Sequence, residues 1–481
     1  MNRQIAQLFG LTVVLFALLI AFTSYWSVFD VEGLEANSSN RRQLIEEQRI
    51  PRGLILAADG RTRLARSVAS GRGERRTYTR TYPEGSLFSQ PIGYSFISNG
   101  RISLEQSRND ELAGKEDEFE SILSGLESKS REGSDVVTNL DVDAQRTAYA
   151  ALGGRKGAVV ALEPRTGKVR VMASDPSFDP NQIPDRFAAI NADPNKPLLN
   201  RTTQELYPPG STFKVVTATA ALDTGKVSPD STIDGSSPQT FSGVPLANFG
   251  GENFGPLSFT DALTNSVNTV FAQVGEDVGR KTLVEYMDRY GFGEDPKLDY
   301  PDGQMVPSGI RNSDGRYVRG DDGFDVARVA IGQGGAEGEV QATPLQMALV
   351  AATVANGGVL MKPRLTDRVV AKDGRVKERI EPDQQSRVMK PETAAELTQM
   401  MSRVVEEGTG TAAALDGIQV AGKTGTAEVG ANRELTDPWF IGFAPLEDPQ
   451  VAIAVVLERT TGQGGTVAAP IAKAVMQSLL G

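Results

Sequence analysis

Leu8 to Phe29 is a run of 22 residues without a charge. Few structures accommodate such a run. As a helix rising about 1.5 Å per residue it spans roughly 33 Å, enough to cross a hydrocarbon core of about 30 Å. Tyr25 and Trp26 stand near its far end, where interfacial aromatics belong. Arg3 precedes the run, and Asp30 and Glu32 follow it. The positive-inside tendency therefore puts residues 1–7 in the cytoplasm and the remaining chain outside. The run is long for the apolar region of a signal peptide, and no small-x-small pattern closes it. We expect an uncleaved transmembrane anchor over 8–29, in a single-pass protein of the cell membrane. No later stretch is long and apolar enough to span.

The 481 residues leave room for two or three domains. A net charge of −11 argues against a nucleic-acid partner. The chain has no Cys, which excludes disulfides, thiolate nucleophiles and Cys-ligated metals. It has no His either. A Ser-His-Asp triad and a His-ligated zinc site are thus impossible. A serine nucleophile here needs another base, and lysine is the leading candidate because burial lowers its pKa.

Residues 31–135 are polar and mixed, sized for a pedestal or interaction module or for a plain spacer. Pro51 to Gly60 reads as a short strand closed by an Asp59-Gly60 turn. Lys115 to Glu132 is charged and reads as an exposed helix-turn segment. The character changes at about Val136, where a second domain, 136–481, is expected. Asp141 to Leu152 has helical spacing. Gly157–Leu162 and Lys168–Ala173 flank Glu163-Pro164-Arg165-Thr166-Gly167 as a hairpin of buried strands. Far downstream, Ile418–Ala421 approaches Lys423-Thr424-Gly425-Thr426 as a strand. Trp439–Ala444 and Val451–Leu457 read as two more, and Val467–Leu480 as a terminal helix. Strands early and late, with helices between, predict one antiparallel sheet split by a large, mostly helical insertion. The insertion carries expected helices at Ser211–Asp223, Thr260–Val274, Arg280–Tyr290 and Pro344–Ala355. Pro296–Asp325 has no assignable element.

Within the insertion, Pro208-Pro209-Gly210 punctuates the backbone before Ser211. Ser211 is suited to open a helix that stays apolar, small or Thr to about Asp223, with Gly225 as a stop. Ser211 and Lys214, three apart, lie on one face, one turn apart. They form the only S-x-x-K in the chain. Two clusters follow in order: Ser266-Val267-Asn268, expected at a helix end or loop, and Lys423-Thr424-Gly425-Thr426 on a strand. Gly425 there allows close approach of backbone to a ligand. Each cluster alone is weak. A Ser-Lys pair alone can be a helix cap beside a snorkelling lysine, S-x-N recurs at Ser38-x-Asn40 and Ser107-x-Asn109, and K-T-G alone is more often a strand end. The ordered trio is far more specific.

The chemistry of the trio is coherent. A serine hydroxyl is a poor nucleophile until its proton is taken, and Lys214 takes it only when neutral. Lowering a lysine from about 10.4 to about 7 requires roughly 4–5 kcal/mol of differential interaction. Burial and a second cation, Lys423, would supply it. Ser266 can relay a proton between Lys214 and a leaving amine. Asn268 offers an amide that donates and accepts. Lys423 and the Thr424 hydroxyl suit a substrate carboxylate. An oxyanion formed on attack needs two backbone N–H donors.

With these residues in order, the chain resembles a class B penicillin-binding protein over nearly its whole length, the middle motif reading S-V-N here beside the S-D-N of related enzymes. Further matching stretches are Pro51-Arg52-Gly53 with Asp59-Gly60, Gly100 to Gly114, Gly332-Gln333-Gly334 before Thr343-Pro344-Leu345-Gln346, Asn356-Gly357-Gly358, Gly408-Thr409-Gly410-Thr411, and Ala421 to Glu428. The short pedestal and Asn40-Arg41-Arg42 are most similar to the actinobacterial PbpA type. The resemblance implies an α+β, sandwich-like transpeptidase fold with a five-stranded antiparallel sheet flanked by helices, and a dimerisation or pedestal domain over 31–135. It implies D,D-transpeptidation: Ser211 attacks a D-Ala-D-Ala carbonyl, with Lys214 and Ser266 catalytic and Asn268, Lys423, Thr424, Gly425 and Thr426 binding substrate. The backbone N–H groups of Ser211 and Thr426 would hold the oxyanion. No metal or organic cofactor is implied. Implied partners are peptidoglycan stem peptides, β-lactams, the cytoplasmic membrane, a SEDS-type glycosyltransferase and divisome or elongation proteins.

Two alternatives stay open at this level. A D,D-carboxypeptidase or β-lactamase would use Ser211 but pass the acyl group to water; no E-x-x-N between Asn268 and Lys423 supplies a lactamase glutamate. A catalytically silent membrane scaffold or β-lactam sensor would use the domain only to bind.

Overall fold

The computed structural model describes residues 2–25, 48–115, 132–318, 323–335, 338–429 and 434–481. Helix α1, Asn2–Ser24, has its described side chains exposed and is long and apolar enough to cross a membrane. It begins earlier than expected, so the stretch read as a cytoplasmic terminus is already helical. Positions 26–29, with Trp26, lie outside the described residues, as does 116–131 of the expected helix-turn segment.

The chain then forms β1 (Ile55–Leu56), β2 (Arg63–Ser70), β3 (Thr77–Thr81) and β4 (Asp135–Thr138). The turn after β1 closes as expected: the Asp59 carboxylate accepts from the N–H groups of Arg61 and Thr62 at 2.8 and 2.9 Å. Fully buried Glu105 binds Arg52 at 2.7 Å and Arg80 at 2.5 Å. This ties Pro51-Arg52-Gly53 to the Gly100–Gly114 stretch. Burial alone would raise the Glu105 pKa, but the two guanidinium groups overcome it and hold the carboxyl at about 2.

Helix α2 (Val142–Leu152) starts where Asp141 accepts from the N–H groups of Asp143 and Ala144. It leads into the hairpin β5 (Gly157–Leu162) and β6 (Val169–Asp175). The insertion carries α3 (Lys214–Asp223), α4 (Phe259–Thr264), α5 (Asn268–Val278), α6 (Arg280–Arg289), α7 (Pro344–Ala355), the strands β7 (Thr366–Val370) and β8 (Val376–Arg379), and α8 (Pro391–Glu406). Strands β9 (Ala421–Val429), β10 (Leu435–Ala444) and β11 (Val451–Leu457), then α9 (Ala469–Leu480), complete the fold.

The central sheet is antiparallel and five-stranded, in the order β9-β10-β11-β5-β6. Strands β5 and β11 are buried at every residue, so they read as continuous apolar runs rather than alternating ones. Ala144, Phe440 and Val475 share the core under α2 and α9, while Val160, Trp439 and Ala348 share the core on the insertion side. Strand β9 stands at the edge.

A second sheet departs from the expected organisation. Its order is β8-β7-β4-β1-β2-β3. Strands β7 and β8, from within the insertion, complete it against β4, which pairs with β1 in parallel. The insertion is therefore less helical than expected, and the boundary expected between 135 and 136 falls inside β4. Pro296–Asp325, left without an element, holds a 3₁₀ turn at Asp302–Gln304 and a strand at Gly309–Arg311.

Candidate active site

Every residue of α3 is buried, Lys214, Thr217, Thr219 and Asp223 among them, as befits a helix that is apolar on most sides. Ser211 does not open it. Gly210–Phe213 is a 3₁₀ turn in which the Ser211 side chain makes no cap bond, and α3 begins at Lys214. The hydroxyl is thereby left half-buried and free of capping duty.

The surrounding fold clamps this turn. Trp439 Nε1 donates to Pro208 O at 2.9 Å, and Gly210 N donates to Gly332 O at 2.9 Å. A Cβ on Gly332, whose φ is +77°, would stand 1.8 Å from Gly210 O. A Cβ on Gly425 would stand 2.7 Å from Pro209 O and 3.0 Å from Thr212 Cγ2. Gly425 thus admits the main chain of the Ser211 turn.

Lys214, fully buried at the start of α3, points at the S-x-N segment. Its Nζ donates to Ser266 O and Asn268 Oδ1 at 2.7 Å each and lies 3.3 Å from Ser266 Oγ. It stands 5.4 Å from the Phe271 ring centroid. No hydrogen bond joins Ser211 Oγ to Lys214 Nζ among the described residues. The expected helix over Thr260–Val274 is broken into α4 and α5, because Ser266 takes a left-handed φ of +58°. For a non-glycine residue this is an uncommon, strained conformation, of the kind that gathers at functional sites. At this break both the carbonyl and the hydroxyl of Ser266 reach Lys214.

Lys423 comes from β9 on the other side, also fully buried. Its Nζ donates to Ser266 Oγ at 2.9 Å and to Thr424 O at 3.1 Å. Burial holds Lys214 well below the ordinary lysine range, and the charge of Lys423 pushes it further down. Burial lowers Lys423 to about 7. The two lysines and Ser266 therefore form one compact group at the base of the Ser211 turn.

Strand alternation puts Thr424 and Thr426 on a common side of β9. Thr426 Oγ1 accepts from Gly464 N at 3.1 Å, and Thr424 Oγ1 shares a hydrogen bond of 2.6 Å with Thr409 Oγ1. Thr409 carries no role in the sequence reading; the glycines on either side of it were the available signal. Asn248 was also missed. It is 4% exposed, accepts from Thr269 N at 3.0 Å, and donates to Gly235 O and Glu252 O at 3.0 Å each. Asn268 Nδ2 donates to Ala247 O at 3.1 Å beside it, so this loop fixes the start of α5.

Comparison with known proteins gives the family of the chain. Residues 157–477 match the penicillin binding protein transpeptidase domain, and residues 52–136 match the penicillin binding protein A dimerisation domain. The chain is 34% identical over its full length to the peptidoglycan D,D-transpeptidase PbpA of Mycolicibacterium smegmatis, covering 99% of that protein. It is 32% identical to that of Mycobacterium tuberculosis, again covering 99% of it. Among solved structures, the ceftriaxone acyl-enzyme complex of penicillin-binding protein A from M. tuberculosis superposes with a TM-score of 0.80 at 31% identity, over 91% of this chain and 100% of that one. A D,D-transpeptidase domain from Eggerthella lenta superposes with a TM-score of 0.78 at 33% identity, over 90% and 98%.

Proposed function

The chain belongs to the class B penicillin-binding protein transpeptidases, and from that premise we infer a serine D,D-transpeptidase that cross-links peptidoglycan stem peptides in cell wall synthesis and is acylated by β-lactams. The observation that carries this reading is the buried Lys214 amine, held by Ser266 and Asn268 with Lys423 beside it.

A neutral amine has two N–H bonds and one lone pair. Ser266 O and Asn268 Oδ1 take the two N–H bonds, since both can only accept. The lone pair is left for the Ser211 hydroxyl proton. Ser211 Oγ then bonds to the penultimate D-Ala carbonyl carbon, and the proton passes to Lys214. Negative charge grows on the carbonyl oxygen, where the N–H groups of Ser211 and Thr426 stabilise it. The C–N bond breaks, and Lys214 returns its proton through Ser266 Oγ to the departing D-Ala amine. An amine of a neighbouring stem attacks the ester, and the same proton path runs in reverse. Lys423 steers the proton by keeping Lys214 neutral, and with Thr424 and Thr426 it receives the substrate carboxylate. Asn268 holds the substrate amide.

In this reading 8–29 is the anchor, 31–135 the pedestal and 136–481 the transpeptidase domain, with 1–7 in the cytoplasm and the catalytic domain outside. The apolar α1 supports a single membrane anchor. The pedestal is suited to a SEDS-type glycosyltransferase and to division or elongation proteins, by resemblance to its family. The test is a donor ester ending in D-Ala-D-lactate, mixed with the full chain and an amine acceptor. Amide product that requires Ser211 is expected. Release of free acid alone would make the chain a carboxypeptidase, and no turnover by a folded chain would make it a scaffold.

A further inference from the structure

The second sheet ends in an arginine-rich hairpin that the reaction does not use. Residues 61–80 contain seven arginines and one acid, Glu74, in a chain of net charge −11. Arg80 is buried against Glu105. Arg63, Arg66, Arg72, Arg75 and Arg76 are exposed, and among the described residues none of them has an ion-pair partner. Arg76 stands 5.3 Å from the Tyr78 ring centroid, its only described contact of this kind. Strands β2 and β3 pair from Arg66 opposite Thr81 to Ser70 opposite Thr77. The outer half projects into solvent, with Val68 43% exposed. Like charges at this density repel one another, so their place at a protruding tip calls for an external counter-charge.

The position of the hairpin says what supplies it. Tyr78 N donates to Gln48 O at 2.8 Å, and Gln48 is where the described chain resumes after α1. The described chain therefore resumes against the hairpin, and α1 is the one apolar, membrane-length helix among the described residues. We propose that the β2–β3 hairpin rests on an anionic phospholipid surface, its tip arginines against lipid phosphates and Val68 toward the acyl boundary. This rests on the reading of α1 as a membrane anchor. Each arginine near an anionic surface contributes roughly fivefold to local binding, so the three at the tip together contribute on the order of a hundredfold. Docking on the bilayer would hold the pedestal at a fixed height and orientation above it.

The chain has no cysteine, so Ser70→Cys gives one labelling site at the exposed tip. The full chain, labelled there with bimane, is placed in nanodiscs of brominated phosphatidylcholine with or without phosphatidylglycerol. Quenching is expected in the anionic discs only. It should vanish in about 0.5 M salt, where charges are screened beyond a few Å, and in an Arg72→Glu, Arg75→Glu, Arg76→Glu variant that still reacts with penicillin. A chain retained on both discs with equal quenching, or with none, overturns the hairpin proposal and leaves the anchor standing. A chain that elutes free of both discs overturns the anchor reading and the proposal with it.

Discussion

Replacing Lys423 with Met isolates the electrostatic part of the account. Lys214 Nζ lies 3.3 Å and Lys423 Nζ 2.9 Å from the same Ser266 oxygen, which bounds their separation at about 6.2 Å. At an effective dielectric near 20, two unit charges at that distance repel by about 2.7 kcal/mol. That corresponds to roughly two pK units. Lys423 is lowered to about 7, so it is protonated below that pH and depresses Lys214 there. Acylation by a penicillin, followed as the apparent second-order rate from about pH 5 to pH 10, reports the free enzyme's essential groups. The wild-type profile should be bell-shaped, its acid limb set by protonation of Lys214 and its alkaline limb by loss of the Lys423 proton near 7. Because the lysines interact, the limbs belong to the pair. In Lys423→Met the alkaline limb should disappear and the acid limb should rise by about two units. An acid limb that stays put or moves down, in a variant with an unchanged melting temperature, would mean that the Lys423 charge does not depress Lys214.

Three further outcomes follow from the same geometry. Gly425→Ala puts a methyl group 2.7 Å from Pro209 O and should displace the Ser211 turn; acylation should fall at least about tenfold with about 1–3 kcal/mol of stability lost, and a wild-type rate would contradict it. Thr409→Val removes the partner of the Thr424 hydroxyl and should slow acylation about fivefold, the worth of one hydrogen bond, while Thr409→Ser restores it; equal rates in both variants would deny Thr409 that role. Glu105→Gln leaves Arg52 and Arg80 without their shared carboxylate and should destabilise the fold by about 3–5 kcal/mol in urea unfolding at neutral pH. With its folded pKa at about 2, below the ordinary 4.5, Glu105 stabilises fully above about pH 4.5 and loses that contribution as pH falls toward 2; the variant should lack this acid dependence.

In the central sheet β5 and β11 were legible because they are short, continuous apolar runs, and fully buried strands announce themselves that way. The three motifs were legible as types and positions. Their mutual geometry was not, since Lys214, Ser266 and Lys423 meet only through long-range packing. Strands β7 and β8 were not among the elements expected in the insertion, and nothing in their own residues says that β7 pairs with β4. Ser211 looked like a helix cap because Ser is a favoured one; the Pro208-Pro209-Gly210 turn instead leaves it in a 3₁₀ segment. Ser266 hid a helix break, because a positive φ at a non-glycine residue leaves no trace in composition. Gly425 was rightly read as a point of close approach, but local sequence does not reveal what approaches.

The most direct measurement is the intact mass of the full chain in detergent, followed over hours after adding benzylpenicillin, with Ser211→Ala alongside. The expected result is a long-lived adduct of one penicillin per chain, mapped to the peptide holding Ser211 and absent from the variant. An adduct that persists in Ser211→Ala, or none at all on a folded wild-type chain, would contradict the assignment of Ser211 as the nucleophile.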